Sequence, residues 1–182
     1  STGNLMLTTI DENASSPAGL TIATMISNAN SNKITDADGD SDGIAIYSAD
    51  NSNGDWQYNL TGSGSWLSLS GVSAGSARLL DADALIRFIP DTDFDGIVSL
   101  GFRAWDASTG SNGSLADTST VGGSTAYSSD TDTISIAVAG IGSPVYGTTG
   151  NDANLAGDHN HDLILGGTGN DKFFAMSGGD NI

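Results

Sequence analysis

The chain contains no cysteine. No disulfide, thiolate metal site or cysteine nucleophile is therefore available. Small secreted domains often lean on disulfides, so this one needs another staple, and bound metal is the natural candidate. Basic residues are scarce: 5 Lys and Arg stand against 22 Asp and Glu, for a net charge of −17. With no basic patch to neutralise phosphates, a nucleic-acid partner is excluded. Glutamate is almost missing as well, since Glu12 is the single one and every other acid is an aspartate. Aspartate in excess belongs to turns and cation sites rather than to helix surfaces. Its self-repulsion weakens the ion-free fold and is relieved by cations. No stretch approaches the ~20 apolar residues of a membrane span, so no membrane insertion is expected. The opening residues lack the pattern of a signal peptide and the chain stops inside a repeat, so a piece of a longer protein is expected. What remains is 182 residues, 37% of them hydrophobic: enough for one real core plus an appendage.

The most ordered pattern is at the end. Residues 147–182 read GTTGNDANL, an extra Ala156, GDHNHDLIL, GGTGNDKFF and AMSGGDNI. In blocks of nine, Asp152, Asp162, Asp171 and Asp180 share the sixth place, and Gly150, Gly169 and Gly178 the fourth. The eighth place is apolar at Ile164, Phe173 and Ile182 and fails at Asn154. This is the G-G-x-G-x-D-x-U-x template of a calcium-binding β-roll. Six residues make a tight turn in which glycine supplies positive φ. Turn carbonyls and the aspartate carboxylate face an ion shared with a neighbouring turn, and the last three residues form a strand. Oxygen-only ligands suit calcium rather than zinc or copper. GGTGNDKFF matches fully, whereas His159, Asn160 and His161 degrade the second block. The alternative is a Gly/Asn/Asp-rich solvent loop. The segment, about a fifth of the chain, resembles the RTX (repeats-in-toxin) family of secreted bacterial proteins. That resemblance implies calcium binding and export by a type I system.

The body reads as short strands broken by Gly/Asn/Ser turns: 5–10, 19–26, 44–47, 55–60, 66–69, 77–80, 85–89, 97–105 and, alternating strictly, 131–139. No convincing amphipathic helix is visible. Residues 28–43 form a polar loop, 106–130 a long Gly/Ser/Thr loop, and 139–144 the linker into the repeats. Many short strands at such spacing argue an all-β fold, an antiparallel β-sandwich. The expected domains are residues 1–143, the sandwich, and 144–182, a short parallel β-roll.

Acids collect at particular places. Glu12 follows the first strand, and Asp36, Asp38, Asp40 and Asp42 alternate ahead of IAIY. Asp106 closes FRAWD, and Asp130 and Asp132 open the last strand. The pieces TTIDEN, ITDADGDSDGIAIYSA, LIRFIPDTDFDG, FRAWDASTG and TDTISIAV resemble cadherin-like domains of giant bacterial adhesins. In that family acids near domain ends clamp calcium at the junction with the next module, which implies Glu12, Asp36, Asp38 and Asp106 as ligands. The next module here is an RTX-like tail instead of another similar repeat, so the junction site departs from the family's. Four aspartates in seven residues also repel one another unless a cation sits among them; the alternative is a solvated acidic loop. Asp91, Asp93 and Asp95 open like an EF-hand, D-x-D-x-D-G, but Phe102 holds the twelfth place and no helices flank it. A calcium turn and a plain loop stay equally open. The candidate calcium ligands are completed by Asp152, Asp162, Gly166, Gly169, Asp171 and Asp180 in the tail.

Other motifs carry less. Trp56, Trp66 and Trp105 could form a sugar-stacking platform, but such residues more often fill a core. Arg87 and Arg103, on strands of an acidic protein, should pair with a carboxylate or pack over a ring. His159 and His161 lack the nitrogen or sulfur neighbours of a transition-metal site. Residues 71–75 spell G-x-S-x-G with no following helix and no histidine outside the tail, so no enzyme is expected. A loop of 106–130's length is uncommon and often functional, which marks Tyr127 and Asp130 as ligand-binding candidates. The sandwich followed directly by RTX-type turns resembles the ligand-binding region of RTX adhesins. It implies a monomeric, extracellular, calcium-loaded module that binds a peptide or protein on a target cell surface, beside neighbouring adhesin domains. A ligand carboxylate would complete a calcium's shell. The alternatives are a passive, calcium-stiffened spacer of the stalk and a module binding a polysaccharide (glycan).

Overall fold

The computed structural model describes residues 4–28, 43–60, 65–140, 145–153, 155–156 and 163–174. The fold is nearly all β. In chain order the strands are β1 (Asn4–Met6), β2 (Ile10–Asp11), β3 (Leu20–Thr21), β4 (Gly43–Ala49), β5 (Gly54–Asn59), β6 (Leu67–Ser68), β7 (Ala77–Leu80), β8 (Leu85–Pro90), β9 (Gly96–Trp105), β10 (Leu115–Ala116) and β11 (Asp132–Ala139). One sheet has seven strands in the order β1-β11-β9-β4-β7-β10, with β2 also on β11, and the other has four, β3-β8-β5-β6. The long central pairs, β9 with β11 and with β4, are antiparallel, while β1 and β2 run parallel to β11.

Alternation puts one face of each sheet into a shared core. Ile44, Ile46, Leu100, Ile134 and Ile136 come from the larger sheet, and Trp56, Tyr58, Ile86 and Phe88 from the smaller. The Trp56 and Phe88 rings meet tilted, with centroids 5.4 Å apart. Each such side chain fully removed from water contributes about 1.5–3 kcal/mol, so this layer dominates the stability of the body.

Residues 19–26 form more than a strand. Only Leu20 and Thr21 pair, after which α1 (Ile22–Asn28) turns inward. Thr21 caps it, its Oγ1 accepting from the Thr24 amide at 3.1 Å. The first-turn amides of Ile22 and Ala23, which have no intrahelical partner, donate to the Ala84 and Ala82 carbonyls at 2.9 Å. Ile22 and Met25 are fully buried, with Ile26 beside them. A spacing of i, i+3, i+4 suits a helix, and eight residues are too few to tell it from alternation. Docking on the 82–84 turn decides the outcome. The expected strand 5–10 is likewise split at Thr8 and Thr9 into β1 and β2.

Residues 106–130 are not a free loop. They fold back over the outer face of the larger sheet. Short strand β10 pairs with β7, Gly113 N donates to Leu79 O at 2.7 Å, and Thr118 N donates to Ala74 O at 2.7 Å. Ala126 joins Ala45, Ala77, Leu79 and Trp105 in a second apolar cluster, flanked by Tyr47, Ala116 and Tyr127. The Trp105 indole N–H donates to Thr109 O at 2.7 Å. The excursion is a cover, built around one tryptophan.

The tail contributes four short strands: β12 (Val145–Tyr146), β13 (Leu155–Ala156), β14 (Ile164–Leu165) and β15 (Phe173–Phe174). They pair parallel and alternately, β12 with β14 and β13 with β15. Partners are Val145 with Ile164 and Leu155 with Phe173, offsets of 19 and 18 residues. Two nine-residue blocks therefore make one coil, and coil lies on coil. Leu155 and Ile164 are buried. Leu155, not Asn154, is thus the apolar partner of Phe173. The offset is 19 through Asp152 and Asp171 and 18 from Leu155 and Phe173 onward, so the first block's extra residue falls between Asp152 and Leu155, and Ala156 pairs in register with Phe174.

Candidate functional site

The tail turns bring two candidate ligands together. Residues 149–152 and 168–171 repeat the sequence TGND and lie one above the other. The Asp152 amide donates to Asp171 Oδ1 at 3.0 Å, the Asn170 amide to Asn151 Oδ1 at 2.8 Å, and the Thr168 hydroxyl to Thr149 O at 3.3 Å. Asp152 folds over its own turn, with Oδ2 accepting from the Thr148 amide at 2.8 Å and Oδ1 from the Thr148 hydroxyl at 3.0 Å. Glycine is what permits this approach. Gly167 and Gly169 have φ of +79 and +135, in the region that side chains avoid. A Cβ on Gly167 would collide with Thr148 O, and one on Gly169 would sit 2.6 Å from Gly150 O. Gly166 leaves room for the aspartate itself, since a Cβ there would meet Asp171 Oδ2 and the Phe173 ring at 2.7 Å.

The acceptors on these turns are carboxylate, amide and backbone oxygens; both Asp152 carboxylate oxygens accept from Thr148, Asp171 Oδ1 accepts from the Asp152 amide, and Gly169 packs against the Gly150 carbonyl. This donor set suits calcium. Asp152 and Asp171 would hold it, helped by carbonyls of the glycine-rich turns. Asp162, Asp180, His159 and His161 lie outside the described residues.

The body distributes its candidates rather than gathering them. Glu12 is buried, 2% exposed, at the C-terminal end of β11, where its amide donates to Ala139 O at 2.9 Å. Asp106 follows the far end of β9, which runs antiparallel to β11. Ten residues of strand at ~3.3 Å each put roughly 30 Å between the two. They cannot share one ion. Asp106 instead accepts the Ser108 amide at 2.8 Å and closes a turn in which Ala107 has φ +59. Asp130 and Asp132 share the Asp106 end, since Asp132 pairs with Phe102. Asp36, Asp38, Asp40 and Asp42 lie outside the described residues, and Gly43, which follows them, pairs with Trp105 at this same end. Asp91, Asp93 and Asp95 are exposed in the β8–β9 connection on the Glu12 side, with Asp93 at φ +60. Among the described residues no group of three acids or histidines is close enough to hold a metal.

Tyr127 is half-buried and faces the cover's apolar cluster, and Trp105 and Tyr127 form an isolated bridge. Asp130 is exposed, its amide held by the Ser128 hydroxyl at 3.0 Å. Ser73 sits in a turn closed on Ser76 and followed by β7, so G-x-S-x-G forms no strand–turn–helix elbow. Arg87 lies 4.0 Å over the Trp66 ring, with Nε and a terminal nitrogen on Gln57 Oε1 at 2.9 and 2.8 Å. Arg78 and Arg103 lie over Tyr58 and Tyr47. All three arginines thus pack on rings, the second of the two arrangements expected for Arg87 and Arg103. Trp56 and Trp105 are core residues.

Two aspartates outside the expected set cap turns. The Ser52 hydroxyl and amide hold the Asp50 carboxyl below its usual range, and Ser119 does the same for Asp117. Thr148 was missed as well: its hydroxyl holds Asp152 within one turn, four residues on, from the second place of the block, where the repeat has glycine. No family model, curated protein or solved structure matches this chain.

Proposed function

We propose that this chain is a calcium-dependent ligand-binding module of a secreted, cell-surface bacterial RTX adhesin. It combines a cadherin-like β-sandwich with the start of an RTX β-roll and is exported by a type I system. The observation that carries this reading is the stacking of Asp171 on Asp152, turn over turn, at the 18–19-residue offset of a nine-residue repeat. Bound calcium would supply positive charge and, where a coordination position stays open, a point of capture for a ligand carboxylate. The chain's own residues supply shape. Trp105 and β10 pin the 106–130 excursion to a rigid sheet. A surface fixed before binding loses little freedom on binding, which favours affinity. Tyr127 and Asp130 stand at its edge. The ligand class that fits is a peptide or protein on another cell.

The passive spacer is the second reading, and one observation favours it. The excursion's length is accounted for by its packing over Trp105 and Leu79, with no ligand required. The glycan reading loses its main support, because Trp56 and Trp105 are buried and Trp66 lies under Arg87.

The deciding experiment presents the calcium-loaded chain to peptides with free and amidated C-termini, beside glycans, with each array repeated in chelator. We expect calcium-dependent binding to peptides, stronger for free C-termini. A blank array from a folded, calcium-loaded sample would replace the head with the spacer.

A further inference from the structure

We infer that the sandwich body is a force-bearing clamp, closed by the parallel pairing of its first and last strands. Strand β1 pairs with β11 through Asn4 with Thr133, Leu5 with Ile134 and Met6 with Ser135. Strand β2 continues along the same edge through Ile10 with Val138 and Asp11 with Ala139. The Leu7 amide, between the two, donates to Ser135 O at 2.8 Å, and the Glu12 amide extends the run to Ala139 O at 2.9 Å. The seam thus ties residues 4–12 to residues 133–139 in two runs, interrupted at Thr8 and Thr9, where the register shifts by one.

Parallel direction decides how tension loads this seam. Tension along the chain draws the leading strand backward from its start and the last strand forward from its end. Those pulls act at opposite ends of two strands running the same way. The seam is sheared, and its hydrogen bonds carry the load together. An antiparallel pair pulled from adjacent ends would open one bond at a time. The seam is also backed by packing, since Leu5, Ile134, Ile136 and Val138 are buried in the main core. Sliding the strands therefore exposes apolar side chains in the same step that breaks the bonds. The tail is built differently: among its described residues, two-residue strands stacked coil on coil give no comparable seam. Under tension it should yield before the body.

The adhesin reading says where such tension arises, but the clamp rests on strand direction alone. The chain has no cysteine, so introduced pairs serve as unique handles for single-molecule pulling of the full chain in calcium. Two pulling geometries suffice: Asn4→Cys with Gly140→Cys shears the seam, whereas Asn4→Cys with Thr131→Cys pulls its adjacent ends and unzips it. We expect a rupture force several-fold higher in the first geometry. Leu7→Pro, which removes the amide that bonds Ser135 O, should lower the first force and leave the second nearly unchanged. Equal forces in the two geometries, measured on the Leu7-containing chain, would overturn the clamp whether or not Leu7→Pro folds. A peptide array that stays blank alongside a strong directional difference would remove the ligand-binding reading and leave the clamp standing.

Discussion

Trp105→Ala will destabilise the body by about 3–5 kcal/mol, the cost of emptying a large buried aromatic site. The residue is 2% exposed and anchors the apolar cluster beneath the 106–130 excursion. Its ring lies against Gly43, where a Cβ would approach to 2.7 Å, and its indole N–H holds Thr109 O. Removing it takes away both the packing and the bond that keep the cover in place. Limited proteolysis should then cut within 106–130, and denaturant melts should shift to match. Trp105→Phe keeps much of the packing and loses the indole bond, so it should cost less than Trp105→Ala. A Trp105→Ala protein that melts like the parent, with its cover resistant to protease, would show that the excursion is held by something else.

The second large effect is local. Gly167→Ala places a methyl group against the Thr148 carbonyl, at a φ of +79. Left-handed backbone alone costs a non-glycine residue roughly 1–2 kcal/mol, and here the obstructing atom is backbone that cannot rotate away. The two coils should separate, taking apart the contact between Asp152 and Asp171. Protease should remove the tail while the body's melting temperature stays put, and calcium stoichiometry should fall. Gly150→Ala is the matched control. A Cβ there would meet only the Thr148 hydroxyl at 3.7 Å, with no positive φ. If both substitutions behave alike, the stacked-coil geometry is not what binds the ion.

The contrast between these glycines shows how far the sequence can be read. Gly150 and Gly169 hold the same place in the repeat, yet only Gly169 lies beneath another coil's carbonyl. Position in a pattern does not tell which coil a residue will meet. The strands of the body were legible because alternation is local: β4, β5, β7, β8, β9 and β11 all fall where the apolar runs put them. Helix α1 was not, because its capping by Thr21 and its docking on Ala82 and Ala84 outweigh a pattern only eight residues long. The order of 106–130 was hidden for the same reason, since its partners, Leu79, Ala74 and Ala104, lie far away in sequence. For the acids, the sequence gathered candidates by resemblance. Strand direction then set Glu12 and Asp106 at opposite ends of one sheet, which no spacing in the chain could reveal.

Calcium dependence is the central claim, and a thermal melt of the full chain in saturating calcium and in chelator tests it most directly. A site held at a hundredfold excess over its Kd adds about 2.7 kcal/mol, and each kcal/mol moves the midpoint of a chain this size by about 2–4 °C. Every saturated site should therefore raise the melting temperature of the unit that holds it, body or tail, by roughly 5–10 °C, with the tail's loss in chelator appearing first as new protease sensitivity. Superimposable melts in calcium and chelator would contradict the account.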